Sequence, residues 1–186
     1  MHEVNDDRSV IIRCKKGDIK AYNILVDRYM QRAYYTALGF VGNRDHAMDL
    51  SQDAFVKAFR AIKKIDENRQ FFTYFYRILR NLCLNFIRDK KRHARPFSEI
   101  GETQYKRIAS QESNPAMAFE MQEQKELVWA AIHQLKPDQK EIIILKEFRD
   151  YSYQEIAELL DIPIGTVMSR LYHARKSLKN KLEGVI

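Results

Sequence analysis

The first proline in this chain is Pro96, and Pro115, Pro137 and Pro163 all follow it. Proline breaks a helix because it lacks an amide donor and clashes with the preceding turn. Everything ahead of Pro96 is therefore free of the strongest helix breaker, and glycine interrupts it only at Gly17, Gly39 and Gly42. Such a stretch, rich in helix formers, predicts a bundle of long helices. Its punctuation divides it further. Residues 9 to 16 form a short helix ended by Gly17, Asp18 caps a second helix to about Phe40, and Asn43 caps a third from about Arg44 to Lys64. In the second helix Tyr22, Leu25, Val26, Tyr29, Ala33 and Ala37 recur at helical spacing and form its buried side.

The fourth helix is FFTYFYRILRNLCLNFIRDKKR, Phe71 to Arg92, with five aromatics in its first six residues and a run of cations at its end. At about 100° per residue, its side chains sort into two arcs. Phe71, Phe75, Ile78, Leu79, Leu82 and Phe86 share one, widened by Phe72, Tyr76, Cys83 and Ile87. The other carries Thr73, Tyr74, Arg77, Arg80, Asn81, Asn85 and Arg88. An aromatic ring set among guanidiniums and amides suits single-stranded nucleic acid: rings stack on unpaired bases, cations follow phosphates, and amides bond base edges. A merely solvated polar face gives the same pattern, so this helix alone leaves both readings open. From Arg88 to Arg95 five Lys/Arg stand against one Asp, at a helix C-terminus where the dipole also favours cations.

Charge points the same way. A net charge of +7 suggests a polyanionic partner. Hydrophobic content of 45% with 11% aromatics argues for folded material. Cys14 and Cys83 are isolated, so neither a disulfide framework nor a Cys-x-x-Cys metal site is legible; two reduced thiols in a cytoplasmic protein is the simplest account, and no cofactor is implied. The purest apolar runs, such as Ile142 to Leu145, fall far short of a membrane span, and MHEVNDDRS lacks the basic and apolar regions of a signal peptide. With no phosphate-cradling glycine loop and no nucleophile–base pair, the expectation is a protein that is not an enzyme.

The third helix carries a different surface. Met48, Phe55, Ala58, Phe59 and Ile62 make its expected buried side, while Asp49, Gln52, Asp53 and Val56 form a stripe at i, i+3, i+4 and i+7. An acidic stripe with an apolar centre, on a basic protein, suits a basic helix of a protein partner. A solvated face paired with Lys57 and Arg60 is the plainer reading. A metal held by Asp49 and Asp53 lacks a third ligand at suggestive spacing.

Ile65 to Gln70 reads as a short polar loop into the fourth helix. Residues 96–115 change character, with serines, Gly101 and scattered charges, and read as a flexible linker between two helical domains, 1–95 and 116–186. The linker's Phe97, Ile100, Tyr105 and Ile108 suggest that it lies in a partner's groove.

The second domain opens with a helix to Gln134 carrying Phe119, Leu127, Val128, Ala131 and Ile132. Pro137 starts another, packed through Ile142, Ile143 and Leu145. Next comes a helix-turn-helix. Ser152 and Glu155 make a capping box for a helix through Leu160, with Ile156, Ala157 and Leu160 inward. Asp161 and Ile162 form the turn, where Asp tolerates left-handed backbone. Pro163 pre-sets the next helix, whose core is Val167, Leu171, Ala174 and Leu178. Its other face shows Thr166, Ser169, Arg170, His173 and Lys176: hydroxyls at the start, cations later, the layout of a helix that reads the major groove.

Taken together, DLSQDAFVKAF (Asp49 to Phe59), FFTYFYRILRN (Phe71 to Asn81) and YSYQEIAELLDIPIGTVMSRLYHARKSL (Tyr151 to Leu178) closely resemble bacterial sigma factors of the extracytoplasmic-function type. The resemblance implies an all-α fold of two small domains, a sigma-2-like bundle and a sigma-4-like helix-turn-helix domain. It implies a dissociable promoter-specificity subunit whose partners are the RNA polymerase core, promoter DNA as duplex and melted strand, and an anti-sigma factor, with no membrane insertion of its own. Asp49, Gln52, Asp53 and Val56 would dock on the core. The loop and polar arc, with Asn68, Arg69, Tyr74, Arg77, Arg80, Asn81 and Arg88, would open and read the minus-ten element by capturing a flipped base; Tyr74 stands where many members have Trp. Thr166, Met168, Ser169, Arg170, Tyr172, His173 and Lys176 would read the minus-35 element, with Met168 where Arg is frequent. The linker resembles the segment that threads the RNA-exit path. The competing class is a stand-alone helix-turn-helix regulator that binds duplex operators without polymerase.

Overall fold

The computed structural model describes residues 7–93 and 127–183. The expected linker and Phe119 lie outside them. The chain divides into two compact units, each all-helical among the described residues.

The first unit is a four-helix bundle. Helix α1 (Asp7–Lys15) ends at Gly17, whose φ of 91° lets the Asp18 amide close back on the Arg13 carbonyl at 3.2 Å. Asp18 then caps α2 (Ile19–Val41), accepting from the Ala21 amide at 3.1 Å. Gly42, left-handed at φ 70°, stops α2; Gly39 sits buried within it. Asn43 caps α3 (Arg44–Arg60) through the His46 amide at 2.9 Å. A single 3-10 turn (Ile62–Lys64) and a short loop lead into α4 (Phe71–His93).

Helix α4 packs on α2 and α3, and aromatic rings fill the seam. Phe75 lies 4.3 Å from Phe55, and Phe71 and Phe72 lie 5.7 and 5.5 Å from Tyr29, centroid to centroid. Burial of each such side chain contributes about 1.5–3 kcal/mol, so this cluster carries much of the unit's stability. Ala33 and Ala37 of α2 and Ala47, Ala54 and Ala58 of α3 are fully buried and let the helices approach closely.

Three sequence expectations shift here. The buried stripe of α4 is Phe71, Phe72, Phe75, Tyr76, Leu79 and Cys83, whereas Ile78, Leu82, Phe86 and Ile87 are half-buried. Contact with α2 and α3 at once turns the helix about its axis relative to the arc that spacing favours. On α3, Met48 and Phe59 are each 40% exposed, because the small residues, with Leu50, Ser51 and Phe55, form the packing face instead. Val26 is half-buried.

The second unit begins, among the described residues, with a helical segment α5 over 127–133. Ala131 and Ile132 are buried, while Leu127 is exposed. Pro137 starts α6 (Pro137–Ile143), which runs into a π turn (Ile144–Phe148); Ile142 to Leu145 form the core against α8. Trp129 of α5 closes on Phe148 at 4.6 Å. The helix-turn-helix follows as α7 (Tyr153–Leu160) and α8 (Ile164–Glu183). No described helix is long and apolar enough to cross a membrane.

Candidate nucleic-acid interface

The loop before α4 is built by its own side chains. The Asp66 carboxylate accepts from the Asn68 backbone amide at 3.0 Å and from the Asn68 side-chain amide at 3.2 Å. These bonds, the backbone one foremost, hold the Asp66 carboxyl below the usual carboxylate range. Arg69 is tethered beside it, its Nε 3.7 Å from Asp66 and its backbone amide 3.2 Å from the Asp66 carbonyl. Asn68, expected to face DNA, thus spends its amide nitrogen on the loop.

Lys64, Asp66, Arg69, Thr73, Tyr74 and Arg77 line a cavity of about 150 Å³ between this loop and the first turns of α4. A volume of that order holds one six-membered aromatic ring. Three cations, Lys64, Arg69 and Arg77, line it with one carboxylate, Asp66, so the net charge of its lining is positive. From its mouth Tyr74, Arg77, Asn81 and Arg88 run along α4 at i, i+3, i+7 and i+14, with half-buried Arg80 on the flank. Arg77, Asn81 and Arg88 are exposed and Tyr74 is half-buried. The polar arc read from sequence, Thr73 included, is assembled here, joined by Lys64, which sequence reasoning did not place on it.

Helix α3 presents the second surface. Asp49, Gln52, Asp53 and Val56 are all exposed, and neither aspartate makes an ion pair among the described residues. The pairing with Lys57 and Arg60 that the plainer reading required is therefore not made. At helical spacing Val56 lies at the centre, with the aspartates on one side and exposed Met48 and Phe59 on the other. The patch is half acidic and half apolar, more hydrophobic than the sequence pattern indicated. No group of three or more His, Cys, Asp or Glu among the described residues could hold a metal ion.

The helix-turn-helix forms the third surface. The capping box is made in full: the Ser152 amide and hydroxyl each donate to Glu155 Oε2 at 2.8 Å, and the Glu155 amide donates to Ser152 Oγ at 3.2 Å. Asp161 is left-handed at φ 56°, and the Ile162 amide reaches the Ala157 carbonyl at 3.1 Å. Leu160 is half-buried and Leu159 buried. In α8, Val167, Leu171 and Ala174 are buried and Leu178 half-buried. Diametrically opposite stand Ser169, His173 and Lys176, all exposed, with Met168 and Tyr172 on one flank and half-buried Thr166 and Arg170 on the other. The Ser169 hydroxyl donates to the Thr166 carbonyl at 3.1 Å, which presents its oxygen as an acceptor. Met168 and Tyr172 are 53% and 63% exposed, and with Ile164 they line an apolar ridge on a helix that is otherwise polar outward. Arg175 instead braces α8 internally, donating to Glu147 at 2.6 and 2.9 Å.

A basic helical bundle and a helix-turn-helix whose second helix has an exposed polar and basic face together point to a DNA-binding protein. Comparison with known proteins makes the class specific. Residues 25–93 match the family model of sigma-70 region 2, and residues 125–178 that of sigma-70 region 4. The chain is 33% identical over 191 residues to the ECF RNA polymerase sigma-E factor of Escherichia coli (strain K12), covering 100% of this chain and 99% of that protein. Its identity to the sigma-E factor of Haemophilus influenzae is 31% over 190 residues, 98% of each chain. Among solved structures, CnrH in complex with the cytosolic domain of CnrY matches with a TM-score of 0.67 at 24% identity, covering 97% of this chain and 99% of that one. Sigma factor RpoE of Bartonella quintana, solved with the anti-sigma factor NepR, matches at 0.64 and 22%, covering 88% and 98%. These two share the fold. The chain belongs to the extracytoplasmic-function sigma factors of the sigma-70 family, promoter-specificity subunits of RNA polymerase.

Proposed function

We propose that residues 1–95 bind the polymerase core and open the minus-ten element, that residues 96–115 are the linker, and that residues 116–186 read the minus-35 element. Core docking falls to Asp49, Gln52, Asp53 and Val56, extended by Met48 and Phe59. Their unpaired acidity beside exposed apolar surface supports this, since a basic amphipathic helix satisfies both halves at once. The minus-ten strand falls to the α4 arc, with one base flipped into the loop cavity among Arg69, Tyr74 and Arg77 and the backbone passing Arg80, Asn81 and Arg88; Asn68 shapes that loop. At minus-35, Ser169, His173 and Lys176 face the groove centrally, Thr166 and Arg170 read from one flank, and Met168 and Tyr172 from the other. An apolar Met at such a position suits a thymine methyl where Arg would suit guanine.

The cavity at the head of α4 is the observation that carries this reading, because a regulator that binds only duplex has no use for a site that takes an unpaired base. Binding energy goes into positioning polymerase and holding an opened strand, and the chain performs no bond chemistry itself; labelled promoter DNA incubated with the chain and Mg²⁺ should remain intact. Control by an anti-sigma factor, in the cytoplasm, is the regulation we expect, by analogy with RpoE and NepR. The deciding experiment is run-off transcription with permanganate footprinting. Core plus this chain should initiate at a two-element promoter with reactive thymines near the start site, and core alone should not. Tight operator binding without polymerase, and no reactive thymines with it, would favour the duplex-only regulator instead.

A further inference from the structure

The region 2 match begins at residue 25, and α1 lies wholly ahead of it. Yet α1 grips the loop of the base cavity at two points. Asp7, its first residue, is 4% exposed, and its carboxylate accepts three hydrogen bonds. Arg28 of α2 donates to one oxygen. The Tyr29 hydroxyl at 2.6 Å and the Phe71 backbone amide at 3.0 Å donate to the other. Phe71 opens α4, which carries Thr73, Tyr74 and Arg77 into the cavity. The residue before it, Gln70, is not a capping type, and its backbone carbonyl accepts from Thr73 at 3.1 Å. A carboxylate 64 residues away in sequence satisfies the amide instead, at a helix end where the dipole also favours negative charge. At the far end of α1, the Lys15 ammonium pairs with Glu67 in the middle of the loop, and that bond holds the Glu67 carboxyl below its usual range.

Resting on the single-strand reading above, we infer that α1 is a positioning element for the captured base: Asp7 and Lys15 fix the loop and the first turn of α4 so that the cavity is formed before the strand arrives. Neither side chain lines the cavity. Both act through another group, the Phe71 amide and Glu67, and a preformed site is spared the ordering cost at the moment of binding.

The test uses holoenzyme assembled from core and the full chain, on fork-junction DNA whose single-stranded minus-ten segment carries 2-aminopurine. Asp7→Asn keeps the size but places an amide donor among groups that need an acceptor. Its affinity for the fork should fall about tenfold, the scale of a lost charge-assisted hydrogen bond, while core affinity and minus-35 duplex affinity hold. The Lys15–Glu67 pair is partly exposed and gives a probe that spares the core of the bundle. Lys15→Glu should lower fork affinity about threefold, and Lys15→Glu with Glu67→Lys should restore it. If Asp7→Asn weakens core binding and strand capture in step and the charge swap restores nothing, α1 is general scaffolding and the inference is overturned. Unchanged capture in all three variants overturns it equally. If wild-type holoenzyme shows no 2-aminopurine unstacking, the single-strand reading itself fails.

Discussion

Two single residues in the second unit carry measurable consequences, and the only tryptophan of the chain, Trp129, reports on both. Asp161 holds φ 56° at the end of α7, a conformation that costs a residue with a Cβ but not glycine. Asp161→Gly should stabilise the second unit by about 0.5 kcal/mol and Asp161→Val should destabilise it by about 1–2 kcal/mol, read from urea transitions followed by Trp129 fluorescence. His133 is the second case. Burial first, and the Lys140 charge second, hold its imidazole at about 4 against an ordinary 6.5. Lys140 Nζ lies 2.5 Å from His133 Nδ1, so the neutral ring accepts there. The unfolded chain takes up this proton below pH 6.5 and the folded chain only below about 4. The contribution is therefore complete above pH 6.5 and is lost as pH falls towards 4. The transition midpoint should drop through that window, and His133→Asn should flatten the drop.

At the level of elements, α3 and α4 each divide their surface between a packed face and an exposed polar one. Since Asp49 and Asp53 are exposed and make no ion pair among the described residues, reversing them breaks nothing inside the bundle. Asp49→Lys with Asp53→Lys should leave helical content unchanged and lower core-polymerase affinity by about tenfold or more, measured by competition against the wild-type chain. Unchanged affinity would remove the docking role from this stripe. For α4, sequence spacing put the right residues on the polar arc yet misjudged which apolar ones face the core. An arc of ten apolar residues satisfies helical periodicity at several rotations, and only the two helices it meets choose among them.

For the molecule as a whole, the net charge of +7 becomes a statement about DNA once it is divided among surfaces. The α4 arc and α8 are basic, while the outer stripe of α3 is acidic. Promoter binding by the holoenzyme should weaken steeply with salt, with a log–log slope of about −0.9 per neutralised phosphate. Lys176→Ala should reduce that slope by about one and weaken all promoter sequences alike, whereas Arg170→Ala should cost about 1–3 kcal/mol and relax preference at one base pair. A filter-binding titration across salt separates the two. A flat response would count against the basic surfaces as the source of holding power.

The sequence by itself determined what forms within a few residues along the chain. Gly17 and Gly42 stop helices, Asp18, Asn43 and Ser152 start them, and Asp161 turns the second unit, all through bonds spanning at most five residues. The exposed acidic stripe of α3, the polar arc of α4 and the outward face of α8 were legible for the same reason, since spacing on one helix is local geometry. Only the tertiary structure decided the rest. It turned α4 about its axis, exposed Met48 and Phe59, closed a cavity between a loop and a helix, and brought Asp7 to the Phe71 amide. Each of these depends on where distant helices pack, and periodicity within one element carries no information about the partner that will cover it.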